Sequence, residues 1–134
     1  MPGLQRFAVE LSGPSADGKG RSQRVVSLFW YSRWVDFPSS ASIGSRPFFS
    51  NAWAVLHMAL HVAQLLERRG EGHWGVCHCS AGVGRTGTFV ALVTLLRHLL
   101  GGSQPEAALD GRITTVIESM RERRLWMVKT DIEC

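Results

Sequence analysis

The stretch His78–Gly87, which reads HCSAGVGRTG, constrains the fold and chemistry of this chain more than any other feature. Five residues separate Cys79 from Arg85, and we call residues 79–85 the Cys79 loop. Its two glycines allow the positive φ angles and the close backbone approach that a tight curl demands. A loop of this kind can turn its backbone N–H groups inward and so form a nest for an anion. The pattern therefore predicts an anion-binding loop that carries a thiol.

The segments on either side of the Cys79 loop predict a strand and a helix. Trp74–His78 is short and apolar, which favours a buried strand. A helix is expected from about Arg85 to Leu100, because two glycines follow the apolar run and end it. The start of that helix would add its positive dipole end and its free N–H groups to the anion site.

The residue types in this stretch suit nucleophilic chemistry on a phosphoryl group. A helix N-terminus lowers the pKa of a cysteine from ~8.5 to as low as ~3.5–7.5, so Cys79 is the candidate nucleophile. Arg85 offers a planar fork for two phosphate oxygens. The Thr86 hydroxyl can hydrogen-bond the sulfur, and His78 is expected to orient the cysteine through backbone contacts. The other candidate phosphate-binding residues are Ser80, Ala81, Gly82, Val83 and Gly84.

Periodicity divides the rest of the chain into β and α segments. Alternating apolar residues favour two half-buried strands that form an antiparallel hairpin. Apolar residues at helical spacing favour further helices. The predicted segments are strands at residues 4–11 and 25–31, a polar loop at about 33–50, and helices at 52–69 and 113–123. Ser103 and Glu106 form a capping box, which predicts a helical turn there. No interior linker is evident, so a single α/β domain over residues 1–134 is expected.

Three segments resemble signatures of the tyrosine-specific protein-tyrosine phosphatases. HCSAGVGRTG matches the family's nucleophile loop, HCSAGxGRTG. FWYSRWVDFP resembles its mobile Y-x-x-W-P-D loop, which implies that Asp36 is the general acid and Trp34 the loop hinge. MRERRLWMVKT resembles the family's MRxQRxxMVQT, and Lys129 stands where a glutamine positions the hydrolytic water. Lys129 remains a candidate phosphate-binding residue. The match covers about residues 25–134.

The resemblance implies the phosphatase fold, an α/β arrangement with a mixed β-sheet flanked by helices. Family domains are longer, so the chain is expected to be a partial catalytic domain that is truncated at its N-terminus. The implied function is hydrolysis of phosphotyrosine in protein substrates through a cysteinyl-phosphate intermediate, without a cofactor or metal. Ser80 and Val83 stand where phosphoinositide phosphatases carry lysines, which favours a singly phosphorylated substrate. Val35 and Lys129 depart from the family pattern, so a phosphotyrosine-binding pseudophosphatase or an inactive fragment is the alternative.

Composition narrows the setting and the partners. Fifteen Lys and Arg against 11 Asp and Glu give a net charge of +4, which favours anionic partners but is too scattered to indicate nucleic acid. The one basic cluster, Arg121, Arg123 and Arg124, is typical of a solvated helix face. Three cysteines without a disulfide framework, and an N-terminus without an apolar signal segment, favour a reducing, cytoplasmic location. The longest apolar run, Thr88–Leu100, is too short for a membrane span.

Two groups of histidines and cysteines leave metal binding open as an alternative. His57 and His61 lie four residues apart on a predicted helix, a spacing that can ligate a metal. His73, Cys77 and Cys79 suggest zinc in the same way. Zinc would occupy the thiolate that the phosphatase reaction needs, so the two interpretations exclude each other at Cys79.

Overall fold

The computed structural model of the chain describes residues 3–34, 46–70, 73–102 and 109–128. In chain order its elements are β1 (Leu4–Pro14), β2 (Arg21–Tyr31), α1 (Arg46–Arg69), α2 (Gly84–Leu100) and α3 (Leu109–Arg123). They divide between two compact units, Met1–Trp34 and Val35–Cys134. A two-stranded antiparallel sheet together with three helices confirms the expected α/β class.

The first unit is the predicted antiparallel hairpin, with strands longer than the sequence pattern indicates. Its register pairs Leu4 with Tyr31 at the open end and Pro14 with Arg21 at the turn. Residues 15–20 close the hairpin. The additional strand residues beside the turn are mostly polar, so apolar alternation gave no signal for them. Backbone pairing extends the strands there instead.

One face of the hairpin is apolar. The register places Phe7 opposite Leu28 and Val9 opposite Val26, and residues two apart on a strand share a face. Phe7 and Leu28 are 41% and 45% exposed, so this face is only partly covered. The predicted alternation is therefore present in the strands.

The second unit builds its core between α1 and α2. Ala59 and Ala63, one turn apart on α1, are fully buried and pack against Val93 of α2. Small side chains at these positions let the two helices approach closely. Partly buried residues that surround this contact are Val62, Leu66, Phe89, Leu92 and Leu96. α3 packs against α2, and Ile117 is its buried residue.

The helix starts differ from the predicted ones more than the helix ends do. α1 begins at Arg46, so the polar loop predicted to reach Ser50 ends earlier. Pro47 is compatible with this start, because the first N–H groups of a helix have no intrahelical acceptor. α2 begins within one residue of its predicted start, and α3 begins four residues before its own. The capping box at Ser103 and Glu106 lies outside the described residues.

The prediction of a buried strand at Trp74–His78 is wrong. Residues 73–79 have no regular secondary structure, and Trp74 and Val76 are 92% and 94% exposed. A strand exists only when a neighbouring strand satisfies its backbone groups. In the described part of the chain the sheet consists of β1 and β2 alone, so apolar character did not suffice to form a strand here.

Candidate active site

The Cys79 loop leads directly into α2. This helix begins at Gly84, and Val83 occupies the N-cap position with φ −130° and ψ −54° and without a side-chain cap. Because the first N–H groups of a helix lack intrahelical partners, an uncapped start leaves them available to an anion. Gly82 has the positive φ, 72°, whereas Gly84 is buried in the first helical turn. The predicted loop–helix unit is present, and one glycine supplies the left-handed residue of its curl.

The sulfur of Cys79 faces N–H groups of this loop. The Gly82 N–H donates to Cys79 Sγ at 3.2 Å, and Cys79 is partly exposed. Burial raises the pKa of Cys79, but the Thr86 hydroxyl and the N–H groups of Thr86, Gly82 and Val83 together bring that pKa below its usual value. The net effect favours the thiolate, which is the nucleophilic form.

Thr86 lies beside two thiols. Its hydroxyl is buried and has no hydrogen-bond partner among the described residues, yet it is near enough to Cys77 and Cys79 to lower the pKa of both thiols. Cys77 is exposed as a residue, but partial desolvation of its thiol by the surrounding atoms raises its pKa. The Thr86 hydroxyl lowers that pKa, and the negative charge of Cys79 raises it again. The net pKa of Cys77 is above its usual value. Cys79 is therefore the more acidic of the two thiols.

Arg85 is the last residue of the Cys79 loop and lies in the first turn of α2. Its side chain is half-buried, and its Nε is fully buried. Ser80 and Ala81 are exposed, and Val83 is half-buried. The residues predicted to bind phosphate therefore form one continuous segment around the sulfur, and a guanidinium group follows at its end.

The turn that follows α3 packs against the Cys79 loop, a contact that the sequence did not predict. We call residues 124–128 the α3 turn. The Val128 N–H donates to the Val83 carbonyl oxygen at 3.2 Å. Arg124 Nη2 donates to the Ala81 carbonyl oxygen, also at 3.2 Å. Two alternate carbonyl groups of the loop thus point outward, toward the α3 turn.

All three arginines of the cluster are exposed, as the interpretation of a solvated face predicts, but two of them also bind the backbone. Arg121 and Arg124 each donate to backbone carbonyl oxygens of residues that fold back against them. The side chain of Arg123 forms no hydrogen bond to another described residue and fits the solvated interpretation. All three residues are arginines near the end of the same helix, so the sequence does not indicate which of them bind backbone carbonyl groups.

Three residues named from the resemblance, together with His78, have no described contact at the site. Asp36, Lys129 and Val35 lie outside the described residues, so the roles assigned to them stay predictions. His78 is exposed, and no hydrogen bond joins it to another described residue. Its predicted part in orienting Cys79 stays a prediction as well.

The part of the chain that the structure describes contains no group of three or more His, Cys, Asp or Glu side chains arranged to hold a metal ion. The zinc alternative at His73, Cys77 and Cys79 therefore finds no support in these residues. Nor does any helix there combine the length and the apolar character that crossing a membrane requires.

Comparison with known proteins gives a consistent result. The family model described as protein-tyrosine phosphatase matches residues 5–133. The chain is 37% identical over 113 residues to human receptor-type tyrosine-protein phosphatase H, an alignment that covers 83% of this chain and 9% of that protein. It is 31% identical over 113 residues to tyrosine-protein phosphatase 1 of Schizosaccharomyces pombe, covering 81% of this chain and 18% of the yeast protein.

A mouse protein, receptor-type tyrosine-protein phosphatase alpha, is 39% identical over 131 residues, which is 97% of this chain and 13% of the mouse protein. The chain thus spans less than a fifth of the length of each of these relatives. No solved structure matches it significantly. Since the family model covers nearly all of the sequence, the chain belongs to the protein-tyrosine phosphatase family.

Proposed function

We propose that this chain hydrolyses phosphotyrosine in proteins through a cysteinyl-phosphate intermediate, with Cys79 as the nucleophile. The observation that carries the proposal is the contact between the Cys79 sulfur and the Gly82 N–H at the uncapped start of α2. An anion held by these N–H groups would lie against the sulfur. Family membership supports the reaction class.

In the first step the Cys79 thiolate attacks phosphorus, and the bond between phosphorus and the tyrosine oxygen breaks. Arg85 binds two of the phosphoryl oxygens and follows the charge as it spreads in the transition state. Asp36, by the family resemblance, donates its proton to the departing tyrosine oxygen. A placed general acid typically contributes ~10²–10⁴-fold to the rate, because an expelled phenolate is costly to form.

In the second step water attacks the cysteinyl-phosphate, and Asp36 takes the proton from that water. The S–P bond breaks, inorganic phosphate leaves, and the Cys79 thiolate is restored. The Thr86 hydroxyl aids this departure, since it lowers the pKa of Cys79 and a thiolate of lower pKa leaves more readily. Lys129 would contact the phosphoryl group from the position where the family has a glutamine.

The substrate we propose carries a single phosphate. Ser80, Ala81 and Val83 are uncharged, so Arg85 is the cation that the loop itself contributes to the bound phosphoryl group. Additional phosphates of an inositol lipid would find no cationic partner among these loop residues. Activity on inositol lipids that exceeds activity on phosphopeptides would contradict this assignment.

The cytoplasmic location stays a prediction, and it suits a nucleophile that must remain reduced.

Turnover of p-nitrophenyl phosphate by the wild type and by the Cys79→Ser variant tests the proposal. We expect turnover by the wild type and none by the variant, because a serine hydroxyl lacks the acidity of this thiol. Equal rates would contradict the proposal. The Asp36→Ala variant should lower kcat with little change in KM, since an acid that acts in the transition state adds little to ground-state binding.

A binding module with little turnover is the second candidate function. The exposure of Trp74 and Val76 favours it, because the segment that leads into Cys79 lacks strand pairing in the described residues. Lys129, which stands where the family has a glutamine that positions the hydrolytic water, also favours binding without turnover. Phosphotyrosine-peptide binding without turnover would support this candidate, and ready turnover by the wild type would exclude it.

A further inference from the structure

The α3 turn is held in an unusual backbone conformation. Trp126 and Val128 have φ angles of 68° and 54°, the left-handed region that bulky and β-branched residues rarely adopt. Such residues persist only where the surrounding structure holds them, and they occur most often at functional sites. Val128 is 1% exposed and Met127 8%, so these two residues are packed in place, whereas Leu125 and Trp126 are 74% and 70% exposed.

Arg121 supplies a polar restraint on this conformation. Its Nε donates to the Met127 carbonyl oxygen at 2.9 Å, and its Nη2 donates to the Val128 carbonyl oxygen at 2.8 Å. The planar guanidinium thus binds two successive carbonyl groups at once, which fixes the peptide plane between them. A lysine has no planar fork and cannot reproduce this pair of bonds.

The restrained α3 turn also fixes the conformation of the Cys79 loop. The Val128 N–H donates to the Val83 carbonyl oxygen, and Arg124 Nη2 donates to the Ala81 carbonyl oxygen, each at 3.2 Å. Arg124 also lies against Gly82, where a Cβ atom would come 3.1 Å from Nη2. With these carbonyl groups held outward, the N–H groups of the loop are free to face the sulfur, as the Gly82 N–H does.

We propose that Arg121 is a positioning residue for the Cys79 loop, acting through the α3 turn to keep the loop's N–H groups directed at the sulfur and at a bound phosphoryl group. The part concerning the phosphoryl group rests on the proposed function. The part concerning the sulfur does not, because it requires only that Cys79 and the loop N–H groups meet. Arg121 touches neither the sulfur nor the reacting atoms in any described contact.

The experiment measures the rate of alkylation of Cys79 by iodoacetamide as a function of pH. Tandem mass spectrometry, which fragments the peptide between Cys77 and Cys79, counts Cys79 separately from the other cysteines. The 134-residue chain is compared with Arg121→Ala, with Arg121→Lys and with Arg123→Ala, the last a control that removes the same charge from the same helix end. Far-UV circular dichroism establishes that each variant is folded.

We expect the midpoint of the alkylation profile to rise by about one pH unit in both Arg121 variants and to stay unchanged in Arg123→Ala. Below the midpoint the rate should fall only about threefold, because a tenfold smaller thiolate fraction is partly offset by the greater nucleophilicity of a more basic thiolate. If Arg121→Ala does not fold, Arg121→Lys alone tests the proposal. Because lysine keeps the positive charge but lacks the planar guanidinium, this variant also distinguishes the effect of the two hydrogen bonds from the effect of the charge.

Three results would overturn the proposal. The first is a wild-type midpoint in a folded Arg121→Lys variant. The second is an equal shift in Arg123→Ala, which would assign the effect to charge alone. The third is loss of folding in both Arg121 variants, which would make Arg121 a stability residue. Because alkylation requires no turnover, a shifted profile in a chain that hydrolyses nothing would leave this inference standing while the proposed function failed.

Discussion

Substitution of Gly87 by alanine tests the packing between α2 and the α3 turn. Gly87 is buried in the second turn of α2, and a Cβ atom built there overlaps the backbone nitrogen of Val128. It would also lie 3.3 Å from Met127 C and from Val128 Cα. These are backbone atoms of buried residues, so they cannot swing aside as the end of a side chain can.

The magnitude follows from three opposing terms. Overpacking of a filled site costs about 1–3 kcal/mol. Displacement of Val128 removes its hydrogen bond to Val83, which contributes about 1 kcal/mol. Alanine in place of glycine stabilises the interior of a helix by about 1 kcal/mol. We therefore expect Gly87→Ala to lower the free energy of unfolding by about 1–3 kcal/mol, although alanine is the better helix former.

Urea denaturation followed by circular dichroism measures this free energy, and Gly111→Ala is the matched control. Gly111 lies in the first turn of α3 and is exposed, and a Cβ atom there meets nothing within 4 Å. Its replacement should leave stability unchanged or raise it by up to about 1 kcal/mol. A Gly87→Ala chain at least as stable as the wild type would refute the described packing of the α3 turn.

Other predictions concern the two thiols and the contact between α1 and α2. Because the pKa of Cys79 is lowered and that of Cys77 is raised, rising pH should make Cys79 reactive toward iodoacetamide first, and simultaneous labelling would contradict that order. Ala63→Leu should destabilise the chain by about 1–3 kcal/mol in urea denaturation, because Ala63 is fully buried, whereas Ala52→Leu on the exposed face should change little. Glu67→Gln breaks an exposed ion pair between α1 and α2 and should shift stability by no more than about 1 kcal/mol, and a larger loss would show that the pair is less screened than its exposure indicates.

Local patterns predicted the secondary structure that local interactions determine. The hairpin and the ends of α1 and α3 follow from apolar periodicity and from the residues that stop a helix. The start of α2 next to Cys79 follows from the glycine-rich stretch that precedes it. The early start of α1 at Arg46 is not evident from the sequence, because a proline such as Pro47 is as typical of a loop as of the first turn of a helix.

Features that depend on distant neighbours were not predictable in the same way. The apolar segment at Trp74–His78 was expected to be a strand, but strand formation depends on a pairing partner that its own residues do not specify. The role of Arg121 depends on a turn in which Trp126 and Val128 adopt left-handed angles. Neither residue type favours those angles, so the sequence indicated a solvated arginine instead.

The central claim, that Cys79 is the nucleophile of a phosphatase, is tested most directly by acid quenching of the chain during turnover of p-nitrophenyl phosphate, followed by peptide mass spectrometry. The mechanism predicts one phosphoryl group on the Cys79 peptide in the wild type and in Asp36→Ala, in which slow hydrolysis should let it accumulate. No phosphoryl group should appear on that peptide in Cys79→Ser. Turnover that persists in Cys79→Ser, or a phosphoryl group found on another residue, would contradict the claim.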